Sequence, residues 1–196
     1  MNTNQHHRKS LRLRDYDYSQ GGGYFVTICT HHRKCVLSGL INGELILSLI
    51  GEKAKEFWQK IPKHFENVQL DVFVIMPNHI HGIIIIKDEE NVGVQNFEPL
   101  QNEFQHIIPK SLGSIIRTYK SVLTSWCKNN GFANFKWQRN YYEHVIRNEK
   151  ELKKIREYIQ NNPLKWELDR ENPISKNYDL DHDVYWKEVY EKWVIK

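Results

Sequence analysis

Hydrophobic positions recur along the chain with two periods, and they divide it into strands and amphipathic helices. Residues 24–30, a run of β-branched and aromatic side chains behind Gly21, Gly22 and Gly23, predict a buried first strand. Asn42-Gly43, set between the apolar residues of 36–41 and 45–47, predicts a short hairpin excursion. From Ser48, a natural N-cap, the residues Ile50, Ala54, Phe57, Trp58 and Ile61 keep helical spacing as far as Pro62. The runs 68–76 and 79–86, separated by Pro77-Asn78, predict an antiparallel pair joined by a tight turn. Within the second run Ile83 and Ile85 point one way and Ile80, Ile84 and Ile86 the other, as in a central strand covered on both faces. The pattern dissolves over 87–109, which predicts a long loop. Leu112, Ile115, Ile116, Tyr119, Val122, Leu123 and Trp126 then trace a helix that stops at Asn129-Asn130-Gly131. Phe135 and Trp137 predict a short strand within 132–139, and Asn148 precedes a helix with Leu152, Ile155 and Ile159 on one stripe, closed by Pro163.

The order β, α, β, β, α, β, α predicts an α+β fold of the ferredoxin-like kind, an antiparallel sheet with helices on one face, plus an additional C-terminal helix and tail. Three parts are expected: a basic flexible arm at 1–15, one domain over 16–166, and a C-terminal appendage over 167–196 packed on the same domain. No apolar run approaches the roughly 20 residues that cross a bilayer, and the first ten residues lack a signal peptide's apolar centre, so a cytoplasmic protein with no membrane partner is expected. Cys29, Cys35 and Cys127 are odd in number and form no C-x-x-C, which reads as reduced thiols. A zinc site within 29–35 is disfavoured, because Cys29 falls inside a strand and the stretch has no glycine for a compact knuckle.

Charge adds a partner to this picture. The 28 Lys and Arg exceed the 24 Asp and Glu by four, and Arg8, Lys9, Arg12 and Arg14 account for the whole excess. Residues 110–142 hold Lys110, Arg117, Lys120, Lys128, Lys136 and Arg139 without one acid. Cations clustered near aromatic residues suit a polyanion, the alternative being an ordinary solvated face. Residues 167–196 carry eight acids against five bases, with Trp186, Tyr190 and Trp193 at near-helical spacing, and read as a packing element.

Candidate chemistry begins at His79 and His81, two residues apart on one strand, whose rings project from the same face and can converge on one ion. Two histidines capping a strand end are the bland alternative. A pair leaves a coordination shell open, so a third protein ligand is expected. The best placed is Asn162, one helical turn after Tyr158 and beside the apolar stripe, a spacing that also fits an amphipathic tyrosine followed by a C-terminal cap. Tyr119, Tyr141, Tyr142 and Tyr190 have only apolar residues four positions on.

Pro77-Asn78-His79-Ile80-His81-Gly82 resembles the metal motif of the HUH endonucleases, and Tyr158 followed by Asn162 resembles their single-tyrosine motif. With residues 137–148, Tyr158-Ile159, Asn162-Pro163 and Gly23-Tyr24-Phe25-Val26-Thr27, the chain is similar to the REP-associated tyrosine transposases over roughly residues 16 to 166. That resemblance implies an enzyme that cleaves one DNA strand covalently, with Tyr158 as nucleophile, His79, His81 and Asn162 as ligands of Mg²⁺ or Mn²⁺, and single-stranded or hairpin DNA as partner. Many relatives carry Gln where Asn162 stands, so a closer helix or a bridging water is implied here. It implies a monomer or a homodimer. Arg8, Lys9, Arg12, Arg14, Arg117, Lys120, Lys128, Arg139 and Arg147 are the candidate DNA contacts. Arg139, His144 and Arg147 are candidates to orient the strand or the helix, a structural role being the alternative. Two other functions remain open on the residues alone: a non-catalytic single-strand binder using aromatic stacking, and a metal-dependent hydrolase.

Overall fold

β1 (Gly22–Cys29) and β5 (His79–Ile86), both apolar on their two faces, pair with each other at the centre of a four-stranded antiparallel sheet. β4 (Val68–Ile75) flanks β5 and β6 (Tyr142–Ile146) flanks β1, giving the ferredoxin-like order β4-β5-β1-β6. The structure, a computed structural model, describes residues 20–41, 44–87, 109–175 and 177–178. β2 (Ser38–Ile41) and β3 (Glu44–Leu47) form the expected hairpin excursion, with Asn42 and Gly43 outside the described residues.

α1 (Leu49–Gln59) starts where Ser48 Oγ accepts the Gly51 amide, and Pro62 sits in the first turn of a short α2 (Ile61–His64). α3 (Leu112–Asn129) begins at Ser111 and α4 (Glu149–Asn161) at Asn148, whose Oδ1 accepts the Glu151 amide at 2.9 Å. Glu151 in turn accepts from the Arg147 amide and pairs with His144 at 2.8 Å, so the end of β6 is tied to the first turn of α4.

Strand alternation divides the core into two. Tyr24, Val26, Ile28, Ile80, Ile84 and Ile86 pack against α1 and α3, whereas Phe25 and Ile83 pack against Ile155, Tyr158 and Ile159 of α4. Helices α1 and α3 therefore share one face, and the additional helix α4 takes the other. A bulge in β4 between Leu70 and Phe73 turns Asp71 toward α4, where Arg156 holds its carboxylate with Nε and Nη2, the shortest contact being 2.6 Å.

The fourth strand differs from expectation. It runs over Tyr142–Ile146, while 132–139 contributes only the bridge of Trp137 to Thr30. Phe135 and Trp137 are both buried in the α1/α3 core, edge to face at 5.1 Å, which imitates strand alternation in a loop that wraps the helices.

Gly82 is demanded by packing: a Cβ there would meet Trp58 Cζ2 at 2.4 Å and Phe73 Cβ at 3.1 Å. Gly82→Ala is expected to destabilise the fold by about 2–3 kcal/mol in denaturant unfolding, with Trp58→Leu relieving part of the loss. Burial opposes ionisation of Asp71, but the bonds from Arg156 and the Val72 amide outweigh it and hold the carboxyl below its ordinary value. A depressed carboxyl contributes stability above its unfolded pKa and loses it as pH falls through the folded one. Asp71→Asn should therefore cost about 1 kcal/mol at neutral pH, the gap to the parent closing below about pH 4 in pH-resolved unfolding curves.

A candidate metal centre beside a buried tyrosine

His79 and His81 open β5 and project toward α4, on the face opposite the Trp58 ring that rests over Gly82. Both imidazoles are buried. Asn78, in the turn from β4, has its orientation settled by two donations from Nδ2, to the Arg33 carbonyl at 3.0 Å and the Glu171 carbonyl at 2.7 Å. Its Oδ1 must then accept from His79 Nδ1 at 2.9 Å, which leaves the His79 Nε2 lone pair facing the site. Burial, then the Arg33 charge, pushes the His79 pKa down to about 3, so the ring is neutral at working pH. His81 Nδ1 lies 2.9 Å from the hydroxyl of Thr27, its register partner on β1.

The two Nε2 atoms stand 3.0 Å apart. Neutral rings that face each other with lone pairs repel, so this arrangement calls for a proton or a cation between them. Two nitrogens about 2.1 Å from one ion, at right angles to each other, would show about this separation. The Asp169 carboxylate completes the group, its Oδ2 lying 3.9 Å from His79 Nε2, and the three side chains are the metal-type cluster found among the described residues. Asn162 Nδ2 donates to Asp169 Oδ2 at 2.9 Å, while Asn162 Oδ1 is buried without a hydrogen-bond partner. A buried orphan oxygen beside two imidazoles and a carboxylate fits a divalent cation.

Tyr158 comes down onto this centre from α4, its Oη 3.3 Å from His81 Nε2. Phe25 fixes both rings, tilted against His81 at 5.3 Å and edge-on to Tyr158 at 6.1 Å. Trp166 lies 6.0 Å from His79 on the other side.

The predicted residues divide accordingly. The structure brings His79, His81, Tyr158 and Asn162 together within one chain. Arg117, Lys128, Arg139 and Arg147 are exposed, and Arg8, Lys9, Arg12 and Arg14 lie outside the described residues. Lys120 is turned inward on its own chain. Its amine donates to the carbonyls of Gln138, Arg139 and Asn140 at 2.9, 3.4 and 3.0 Å, and burial lowers its pKa to about 8. With its three N–H groups committed, it braces the turn before β6 and has none left for a phosphate. Cys29 is buried, with its thiol pushed well above the ordinary value by burial and then by Glu171, and Cys35 is exposed.

Sequence reasoning missed Asp169, whose neighbourhood reads as an acidic packing element. Its signal is faint, one of eight acids in 167–196, and only the turn at Pro163–Leu168 carries it back to Asn162. Asn78 and Thr27 were also missed as supports, although both stand inside the motifs that carry the resemblance. No described helix is long and apolar enough to cross a membrane.

No protein-family model matches the chain. An uncharacterized protein of Haemophilus influenzae is 44% identical over 173 residues, covering 86% of this chain and 95% of that protein. A second protein of that organism, named "Putative REP-associated tyrosine transposase", is 26% identical over 176 residues and 88% of its length. A solved REP-associated tyrosine transposase, bound to a REP hairpin, superposes with a TM-score of 0.54 at 23% identity, over 79% of this chain and 73% of that one. The fold is therefore shared with that structure, and the chain belongs to the REP-associated tyrosine transposase family.

Proposed function

We propose that this protein is a metal-dependent single-stranded DNA endonuclease and strand transferase, acting on hairpin-forming repeat DNA through a 5'-phosphotyrosine at Tyr158. The observation that carries the reading is the 3.3 Å approach of Tyr158 Oη to the Nε2 of His81, across 77 positions of sequence. The hairpin as partner is supported by the solved relative, which was bound to one.

In this reading His79, His81 and Asp169 hold the ion, with Asn162 Oδ1 as a further oxygen donor. Two imidazoles with carboxylate and carboxamide oxygens suit Mn²⁺ better than Mg²⁺, which prefers oxygen ligands throughout. When bound, the ion supplies charge withdrawal from a non-bridging phosphate oxygen. Tyr158 supplies the nucleophile: its oxygen bonds to phosphorus in line as the bond to the 3'-oxygen breaks, the phenol loses its proton and the 3'-oxygen leaves as a hydroxyl. Ester replaces ester, so a later 3'-hydroxyl can reverse the step and join strands without ATP. Phe25, on the central strand, limits how far the phenol can swing from the imidazoles. Every side chain named belongs to one chain, which supports a site complete in a monomer.

Incubation with single-stranded hairpin DNA and Mn²⁺ should yield a covalent protein–DNA adduct, seen as a shifted band in denaturing gels. Tyr158→Phe should abolish it, and an adduct that persists would remove Tyr158 as nucleophile. Salt-sensitive binding with no adduct under any divalent metal would instead indicate a non-catalytic binder. Asn78→Ala should weaken Mn²⁺ binding about 10- to 100-fold in a paramagnetic-resonance titration, because His79 loses the acceptor that fixes its tautomer. Asp169→Ala should weaken it at least as much, and an unchanged titration would take Asp169 out of the ligand set.

A further inference from the structure

A cavity of about 300 Å³ lies on the other side of the sheet end that carries the histidines, between the turn after β1, the start of α1 and the loop after α3. Its walls include Phe132 and Phe135, and His31, Lys34, Asn134 and Lys136 stand around it, with no Asp or Glu among the lining residues. Desolvation, then the charges of His32, Lys136 and Lys34, push the His31 pKa down, a sign that positive charge is gathered here without an offsetting carboxylate. The walls are fixed by backbone bonds: His31 N donates to the Lys136 carbonyl at 2.9 Å, Gln138 N to the Cys29 carbonyl at 2.9 Å, and Phe135 N to the Phe132 carbonyl at 2.9 Å. Thr30, also in the lining, donates its amide to the Asn78 carbonyl at 2.8 Å, so one hydrogen bond separates the cavity's edge from the residue that orients His79.

We propose that this cavity takes one unpaired nucleotide of the DNA strand, its base against Phe132 and Phe135 and its backbone phosphate on Lys34 and Lys136. This rests on the reading of the histidine centre as a DNA-processing site and adds the place where the strand is gripped. The volume sits at the small end of the ~300–1,000 Å³ of ligand pockets, suited to a single nucleoside and too small for a duplex. Apolar aromatic walls answer a base's π-face, and a rim of cations answers a phosphate. Asn134 adds an amide for an edge of the base. A strand with its scissile phosphate at Tyr158 needs only to round the end of β1 and β5 to reach this rim.

The test measures fluorescence anisotropy of a labelled single-stranded oligonucleotide and its abasic counterpart, in EDTA, on full-length Tyr158→Phe protein, so that neither metal nor cleavage enters. Asn134→Trp, at an exposed position on the rim, should weaken binding of the base-bearing strand about tenfold and leave the abasic strand unchanged. Lys34→Glu with Lys136→Glu, both exposed, should weaken both strands and lower the salt slope by about 1.4, or 0.7 per lost phosphate contact. Thermal melts of each variant must match the parent. Variants that bind both strands as the parent does overturn the pocket, while an adduct formed by the Tyr158 protein with Mn²⁺ leaves the proposed function standing. Weakened variants in a protein that forms no adduct support the pocket and sink the nuclease. A parent that binds no single strand overturns both.

Discussion

Two neutral imidazole nitrogens held 3.0 Å apart in a dry interior are the constraint around which the rest of this molecule is arranged. Left to themselves they would rotate apart, because each lone pair raises the energy of the other where no water can intervene. Rotation is blocked at the far side of each ring, by Asn78 for His79 and Thr27 for His81. The glycine that follows them is no less constrained, since the Trp58 ring lies where a Cβ of Gly82 would point. Packing from one face of the sheet and hydrogen bonds on the other thus fix the same three residues.

That division of labour follows from the period of a strand. Even-numbered isoleucines of β5 serve the large core with α1 and α3, and odd-numbered positions serve the face that α4 covers. α4 has a small apolar contribution, Leu152, Ile155, Tyr158 and Ile159, and its position is set as much by polar ties at its two ends. Asn148 and Glu151 fasten its start to β6, while Arg156 fastens its later turns to the β4 bulge. The phenol of Tyr158 is placed by these attachments, not by a contact of its own.

Much of this was legible in the residues because it depends on local rules. Period-two and helical spacings marked the central strands and the amphipathic helices, N-caps marked where helices begin, and i to i+4 geometry put Tyr158 and Asn162 on one flank. What escaped depends on the path of the chain between elements. Phe135 and Trp137 alternate like a strand because a wrapping loop also buries every second side chain, and the sheet instead took Tyr142–Ile146. Lys120 counts as one more cation until its amine is seen to satisfy three carbonyls of a turn 18 to 20 residues away. Asp169 is indistinguishable from its acidic neighbours until the turn after Pro163 folds it back beneath Asn162.

The turn after β1 joins these pieces, and its strain indicates how firmly. His32 and Arg33 both adopt left-handed backbone, with φ of 55° and 50°, which costs roughly 1 kcal/mol or more for each non-glycine residue. Nothing local compels that conformation; the surroundings do. Thr30 N is bonded to Asn78, His31 N to Lys136, and the Arg33 carbonyl to Asn78 Nδ2, while the guanidinium pairs with Glu171 at 2.5 Å. Relaxing the turn would withdraw the carbonyl that orients Asn78, free the ring of His79 and leave the Glu171 carboxylate buried beside Cys29 without its counter-charge. The strained turn is therefore stable only while the histidine centre, the chain around Asp169 and the rim of the cationic cavity are all in place, and this makes three sites from distant parts of the sequence one cooperative unit.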